Sequence, residues 1–276
     1  MIGVFDCEII EHSAVTHNTM RTVLKCPEIA ANAMPGQFVN VRVSPETDPM
    51  LRRPFSIHAV DADKGTFSLL YVMVGRGTAL LSQMKPGQFM SVIGPIGRGF
   101  DFGDIGNSIH LVVAGGCGAA PMHFLCDKLC TNGICSNVIV LSGASNKDAL
   151  LCEVEFKAHG VEVDISTDDG SYGYKGFVTE LLAEKLKEIG DTSNVRVYSC
   201  GPHAMMKAVA DISLAAQVKS CQVSLENNMA CGFGVCQGCV QKIKGAGKGD
   251  NSGRDWHYER VCKDGPVFNA EDIIWG

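Results

Sequence analysis

Apolar and polar positions divide the chain into stretches with different rhythms. Up to about residue 100 the apolar residues fall in short runs at 38–43, 55–60, 66–74 and 89–93, rich in Val, Phe and Ile. Turn-forming groups separate them at Pro35-Gly36, Asp63-Lys64-Gly65 and Pro86-Gly87. Short β-branched and aromatic runs with such breaks predict a small antiparallel barrel. After Gly106 the rhythm changes. Apolar runs at 109–113, 137–141, 161–165 and 195–198 alternate with helix-like segments at 122–130, 149–158, 178–188 and 203–215. Strands alternating with helices predict βαβ units and a parallel sheet. From Cys221 onward the chain is rich in cysteine and glycine, with little helical periodicity. The pattern describes a multidomain α+β protein: an antiparallel β-barrel domain over 1–102, an α/β parallel-sheet domain over 103–220, and a small cofactor-binding domain over 221–276.

Composition narrows the function classes. A formal charge of −6 with no basic run argues against a nucleic-acid partner, because phosphate binding needs a dense Lys/Arg surface. No apolar stretch approaches the roughly 20 residues of a membrane helix. The first eight residues lack the basic and apolar regions of a signal peptide. The expectation is a cytoplasmic chain in a reducing compartment, away from the membrane. There an odd count of thirteen cysteines does not read as a disulfide framework. Each is a buried thiol or a metal ligand, and spacing decides.

Cys231-x4-Cys236-x2-Cys239, followed after 22 residues by Cys262, is close to the C-x4-C-x2-C…C spacing of plant-type [2Fe–2S] centres. Gly232, Gly234 and Gly238 let backbone N–H groups approach the sulfurs, and the distant Cys262 closes the cage. All-cysteine zinc sites usually present two C-x2-C pairs, whereas this pattern is three plus one. Cys7, Cys26, Cys126, Cys130, Cys135, Cys152 and Cys221 read as buried or half-buried thiols. The stretch 245–253, with Lys248 and Asp250, reads as a solvated loop between the third and fourth ligands.

Arg53-Pro54-Phe55-Ser56 opens a strand, where an Arg can pair with a pyrophosphate and Ser56 can reach a flavin ring nitrogen. Taken alone, an Arg before a Pro is more often a solvated loop residue. Its weight rises because Gly77, followed by Thr78, allows close backbone approach to a phosphate. Gly115, Gly116 and Gly118, followed by Pro121, sit between a strand and a helix, where backbone N–H groups can face a dinucleotide. A tight turn without a ligand is the alternative. Cys200-Gly201-Pro202 repeats the geometry at a later strand end, with Cys200 either beside a nicotinamide ring or packed in the core.

Taken in order, these motifs resemble the ferredoxin–NADP reductase superfamily. Ser224-Leu-Glu, Met229-Ala-Cys-Gly, the three-cysteine loop and the stretch from Arg260 to Phe268 resemble the electron-transfer subunit of class 1B dihydroorotate dehydrogenase. Thr167-Asp-Asp-Gly-Ser171 and Lys175-Gly-Phe-Val-Thr179 are similar to it as well. The resemblance implies FAD held by Arg53, Pro54, Phe55, Ser56, Gly77 and Thr78 and by the backbone around Leu70, Tyr71 and Val72. It implies NAD at the second domain and a [2Fe–2S] cluster on the four named cysteines. It also implies a catalytic partner containing FMN, in a heterotetramer of two chains of each kind. Electrons would pass from dihydroorotate through that FMN, the cluster and FAD to NAD+ in pyrimidine synthesis, and no residue is expected to act as a general base. Cys117 and Asn227-Asn228 depart from the pattern. Two other readings stay open: a reductase subunit serving a ferredoxin, hydrogenase, sulfide or sulfite system, and a zinc-stabilised binding module without redox chemistry.

Overall fold

A computed structural model describes residues 2–103, 106–247 and 253–276. Strands β1 (Gly3–Ala14), β2 (Thr19–Lys25), β3 (Phe38–Val41), β4 (Arg53–Asp61), β5 (Thr66–Val72) and β6 (Phe89–Ile96) close a barrel in the order β1-β2-β5-β4-β3-β6. Antiparallel pairing of β1 with β6, from Gly3 opposite Gly94 to Glu8 opposite Phe89, removes the free edges. Alternation sends Cys7, Ile9, Leu24, Val39, Val41, Ile57, Phe67, Leu69 and Val92 into the interior. Two six-residue helices, α1 (Pro27–Asn32) and α2 (Arg76–Leu81), cover the connections.

The second unit runs β7 (Ile109–Gly115), α3 (Ala119–Thr131), β8 (Val138–Ala144), α4 (Glu153–Ala158), β9 (Glu162–Thr167), β10 (Tyr174–Lys175), α5 (Val178–Ile189), β11 (Val195–Cys200) and α6 (His203–Ala215). Leu111 to Ala114 on β7 are buried without a break, as a parallel strand covered on both faces requires. On α5, Val178, Leu182 and Leu186 point inward at four-residue spacing, while Glu180 caps the Phe177 N–H at 3.1 Å.

The tail does not stand apart from this sheet. β12 (Ser220–Ser224) pairs in parallel with β11, and β15 (Val267–Asn269) pairs antiparallel with β12. The sheet therefore has seven strands, ordered β10-β9-β8-β7-β11-β12-β15. The hairpin of β13 (Val240–Lys244) and β14 (Trp256–Arg260) forms a separate sheet. Strand order reverses at β7, which has β8 on one side and β11 on the other. The carboxyl ends of β7 and β11 thus frame the crevice where open α/β sheets bind ligands.

One segment departs from the sequence expectation. The helix expected over 149–158 begins only at Glu153, because Leu150 is extended at ψ 134° and Cys152 takes the left-handed conformation with φ 61°. No helix of the described residues is long and apolar enough to cross a membrane.

Candidate functional sites

Arg53 to Ser56 enter from β4, Leu70 to Val72 from β5, and Gly77 and Thr78 from α2. All nine line one cavity of about 420 Å³. The Thr78 hydroxyl accepts the backbone N–H groups of Val74 (3.0 Å) and Gly75 (3.2 Å) and so fixes the turn into α2. At Gly77 a Cβ would come 3.1 Å from Arg53 Nε, so its missing side chain leaves the guanidinium room. Arg53 Nη1 donates to Leu51 O at 2.6 Å, which leaves its other donors for an anionic group such as a pyrophosphate beside the tight turn. Aromatic Phe55 and Tyr71, 5.1 Å apart, supply apolar wall for a ring system.

The same cavity reaches beyond the barrel. Cys117 and Ala120 approach from the turn after β7, and Ser224, Leu225, Glu226, Asn227, Met229 and Pro266 approach from the tail. Sequence reasoning weighed Cys117 only as an irregularity. Its sulfur lies 3.9 Å from Leu70 O, and burial pushes its thiol up to about 11, so it stays a neutral wall. Glu226 is exposed at the cavity, and the protein packed around it still raises its carboxyl pKa by desolvation. The Ser-Leu-Glu run following β12 was the available signal for it.

A second cavity, of about 590 Å³, lies at the carboxyl edge of the parallel sheet. Gly115, Gly116 and Pro202 line it, together with Gly143 to Ser145, Asp168, Phe177 to Thr179 and Met205. Gly118, Cys200 and Gly201 do not line it. They form the joint beneath it: a Cβ on Gly118 would fall 2.1 Å from Cys200 O, and one on Gly201 2.6 Å from Met205 Cε. Cys200 is packed in the core at 1% exposure, with its thiol pKa raised by burial. The glycine-rich turn thus divides its work. Gly116, with φ +53° and open space where a Cβ would stand, faces the ligand side, while Gly118 permits close approach of two strand ends.

The cysteine loop lies on the barrel's flank. Cys239 and Cys262 are buried, Cys231 is half-buried and Cys236 exposed. Backbone N–H groups point at the sulfurs: Cys236 N to Cys231 Sγ at 3.5 Å, Gly238 N to Cys236 Sγ at 3.4 Å, and Cys262 N to Cys239 Sγ at 3.4 Å. Such donors stabilise charge on sulfur. For Cys231, partial burial raises the thiol pKa, but the N–H groups of Cys236, Phe233 and Val235 outweigh it and hold the group near 6. Cys262 is pushed up to about 12 by burial and by the neighbouring Cys239. Gly232 (φ +78°) and Gly234 (φ +89°) make the left-handed turns that wrap the loop. Asn40 of β3 donates to Cys231 O at 3.1 Å, and Arg260 donates to Gly234 O at 2.9 Å while pairing with Asp264. Thiols in this order, with backbone donors aimed at them, fit a cysteine-ligated iron–sulfur cluster. Lys248 and Asp250 of the connecting loop lie outside the described residues.

Comparison with known proteins gives these sites a family. Residues 6–100 match the oxidoreductase FAD-binding domain, residues 112–211 the oxidoreductase NAD-binding domain, and residues 226–274 the iron–sulfur cluster binding domain of dihydroorotate dehydrogenase B. Among solved structures, a chain of the NADH-dependent reduced ferredoxin–NADP oxidoreductase superposes with TM-score 0.82 and 28% identity, covering 99% of this chain and 91% of its own. A ferredoxin–NADP+ reductase from Neisseria gonorrhoeae shares the fold over 77% of this chain and 91% of its own, with TM-score 0.65 and 18% identity. The dihydroorotate dehydrogenase B (NAD(+)) electron transfer subunit of Desulforamulus reducens is 41% identical over 100% of both chains. The corresponding subunit of Geobacillus thermodenitrificans is 36% identical over 99% of this chain and 100% of its own. With matches of this extent to relatives so named, the chain belongs to the family of electron transfer subunits of NAD(+)-dependent dihydroorotate dehydrogenase B.

Proposed function

We propose that the chain relays electrons from an FMN-containing dihydroorotate dehydrogenase catalytic subunit through a [2Fe–2S] cluster and FAD to NAD+, in pyrimidine biosynthesis. The observation that carries this reading is the three-sided lining of the first cavity. Barrel residues Arg53 to Ser56, the β7 turn at Cys117 and tail residues 224–227 all meet there, with Met229 two positions before the first cluster cysteine. When bound, nicotinamide exchanges electron pairs as hydride, flavin converts pairs to single electrons, and the cluster passes them singly.

On this reading Arg53 and the turn through Gly77 and Thr78 hold the FAD pyrophosphate, while Pro54, Phe55, Ser56 and Leu70 to Val72 frame its ring. Gly115, Gly116 and Pro202 border the NAD, with Gly118, Cys200 and Gly201 supporting them from behind. Cys231, Cys236, Cys239 and Cys262 ligate the iron. The division into 1–102, 103–220 and 221–276 follows the cofactors, although β12 and β15 of the third part complete the sheet of the second. Assembly with the catalytic subunit as two plus two and a cytoplasmic location belong to the same reading.

Anaerobic purification followed by iron, sulfide and flavin assay tests it first; about two irons, two sulfides and one FAD per chain are expected. Mixed with an FMN-containing catalytic subunit, the chain should confer dihydroorotate-dependent NAD+ reduction that neither subunit shows alone. Zinc without flavin would leave a binding module instead. The full-length likeness to a ferredoxin–NADP oxidoreductase chain favours one rival, a reductase subunit serving a ferredoxin. Electron transfer to ferredoxin but not to the catalytic subunit would select it.

A further inference from the structure

Away from these cavities, the joint between the barrel and the parallel-sheet unit buries an unusual set of side chains. His58 on β4 is 2% exposed, and Cys152, immediately before α4, is 5% exposed. His58 Nε2 lies 3.6 Å from Cys152 Sγ. Glu155, half-buried on the first turn of α4, completes a trio whose donor atoms all lie within 4.8 Å of one another. For a tetrahedral ion with bonds of about 2.0 Å to nitrogen and about 2.3 Å to sulfur, the nitrogen–sulfur separation is about 3.5 Å. The His58–Cys152 spacing therefore already suits a shared ion, with Glu155 within reach of both.

Three further features point the same way. The other ring nitrogen, His58 Nδ1, lies 3.0 Å from Ser68 Oγ of β5, so a proton held there leaves the Nε2 lone pair facing the thiol. Metal-ligating histidines are oriented by just such a partner on the second nitrogen. Cys152 is held in the left-handed region at φ 61°, a conformation that disfavours side-chain-bearing residues. Charge also balances. A neutral imidazole, a thiolate and a carboxylate together neutralise a divalent cation, as a site buried in apolar surroundings demands. Burial keeps the His58 imidazole neutral and raises the Cys152 thiol, and the Arg21 charge, which reaches both, opposes an imidazolium and offsets part of the rise at Cys152.

We propose that His58, Cys152 and Glu155 form a binding site for a borderline divalent cation, Zn2+ by ligand chemistry, that bridges the barrel to α4. Mixed thiolate, imidazole and carboxylate donors suit zinc better than calcium or magnesium, which take oxygen. Binding replaces the Cys152 S–H bond with a Zn–S bond and releases one proton to solvent. His123 and His159 mark the way in: their Nε2 atoms are 3.4 Å apart, His123 stacks on His58 at 4.6 Å, and His159 faces the half-exposed Asp127. The site is independent of the redox cofactors and does not rest on the electron-transfer reading.

The test uses the full chain as purified with its cofactors, treated with chelator and then given one equivalent of zinc. The visible spectrum is followed so that any displacement of iron registers. Zinc K-edge absorption should then show one sulfur at about 2.3 Å with nitrogen or oxygen at about 2.0 Å. Cys152→Ser should remove that sulfur and weaken zinc at least about tenfold, the loss expected even for outer-shell partners. Glu155→Gln, at a half-exposed position that tolerates the change, should weaken zinc while leaving the fold intact. Absence of binding at micromolar free zinc would overturn the proposal. So would a sulfur shell that survives in Cys152→Ser, which would place the metal on other thiols such as Cys126, Cys130 and Cys135.

Discussion

Gly118 has an ordinary helical backbone, φ −61° and ψ −14°, so nothing about its conformation calls for glycine. What calls for it is the carbonyl of Cys200, which an added Cβ would meet at 2.1 Å, with the Cys200 carbonyl carbon at 2.4 Å. Both neighbours are backbone at a strand end and cannot rotate away. Gly118→Ala should therefore destabilise the protein by about 1–3 kcal/mol, the usual range for overpacking. It should also loosen the joint under the second cavity. Thermal melting reads the first effect, and a rise in the Michaelis constant for NADH reads the second; an unchanged melt would mean that β7 and β11 can part without loss. Asp168 calls for a different argument. It sits at the carboxyl end of β9 and lines the cavity flanked by Gly115 and Pro202. Should the coenzyme's ribose reach it, this carboxylate would accept hydrogen bonds from the hydroxyls and repel a 2′-phosphate. NADH should be used at least about tenfold better than NADPH, which corresponds to about 1.4 kcal/mol, and Asp168→Asn should narrow the ratio. Equal use of both coenzymes by the unaltered protein would remove Asp168 from that role.

At the scale of elements, α5 is joined to β9 by one cation. Lys185 Nζ reaches Glu162 at 2.7 Å, Glu188 at 3.0 Å and Asp164 at 3.2 Å, with its own side chain only 15% exposed. The hydrogen bond to Glu162 chiefly raises its pKa, with burial opposing and Glu188 and Asp164 adding to the rise. Because the carboxylates are themselves solvated, Lys185→Met should cost only about 1 kcal/mol at neutral pH. A cation whose pKa is higher in the folded state gives stability that is complete below its unfolded value. That stability fades only as pH rises past about 10.5. The melting difference between wild type and variant should thus be constant from pH 7 to 9 and close above that value. A gap that already narrows by pH 8 would show that the amine is not the source. Periodicity made α5 legible because Val178, Leu182 and Leu186 repeat at four-residue intervals over three turns. It did not resolve β1 and β2, where a register shift between Ile9 and Glu11 interrupts alternation. Nor did it show that β12 and β15 join the parallel sheet, since two short strands 42 residues apart carry no local signal of their pairing.

Across the whole molecule, local spacing and distant contacts were unequally visible. The four cysteines proposed as ligands stand out because cluster chemistry constrains such a spacing along the chain; that Gly232 and Gly234 take positive φ emerges only from the fold. The convergence of barrel, β7 turn and tail on one cavity could not be read, because Cys117, Glu226 and Pro266 meet only through folding. Neither could the burial that sets Cys236 apart as the exposed member of the four. That asymmetry suggests where another protein docks. Phe233 is 45% exposed and Val235 71% exposed, both just before Cys236 on the same loop. Adjacent exposed apolar residues mark interaction surfaces, and aromatic side chains such as Phe are enriched at interfaces. A partner seated over them would shield the cluster and shorten the path for an electron. Phe233→Glu combined with Val235→Glu should weaken association with the catalytic subunit at least about tenfold, since burying an unpaired charge at an interface core is strongly unfavourable. Reduction of a small artificial acceptor by NADH should persist in the same variant, because both cavities lie outside the loop tip. Co-purification and sedimentation read the first, dye reduction the second. If the complex forms undiminished, the docking face lies elsewhere. The next place to look is the barrel surface carrying Val4 and Phe89, 67% and 62% exposed on the paired strands β1 and β6.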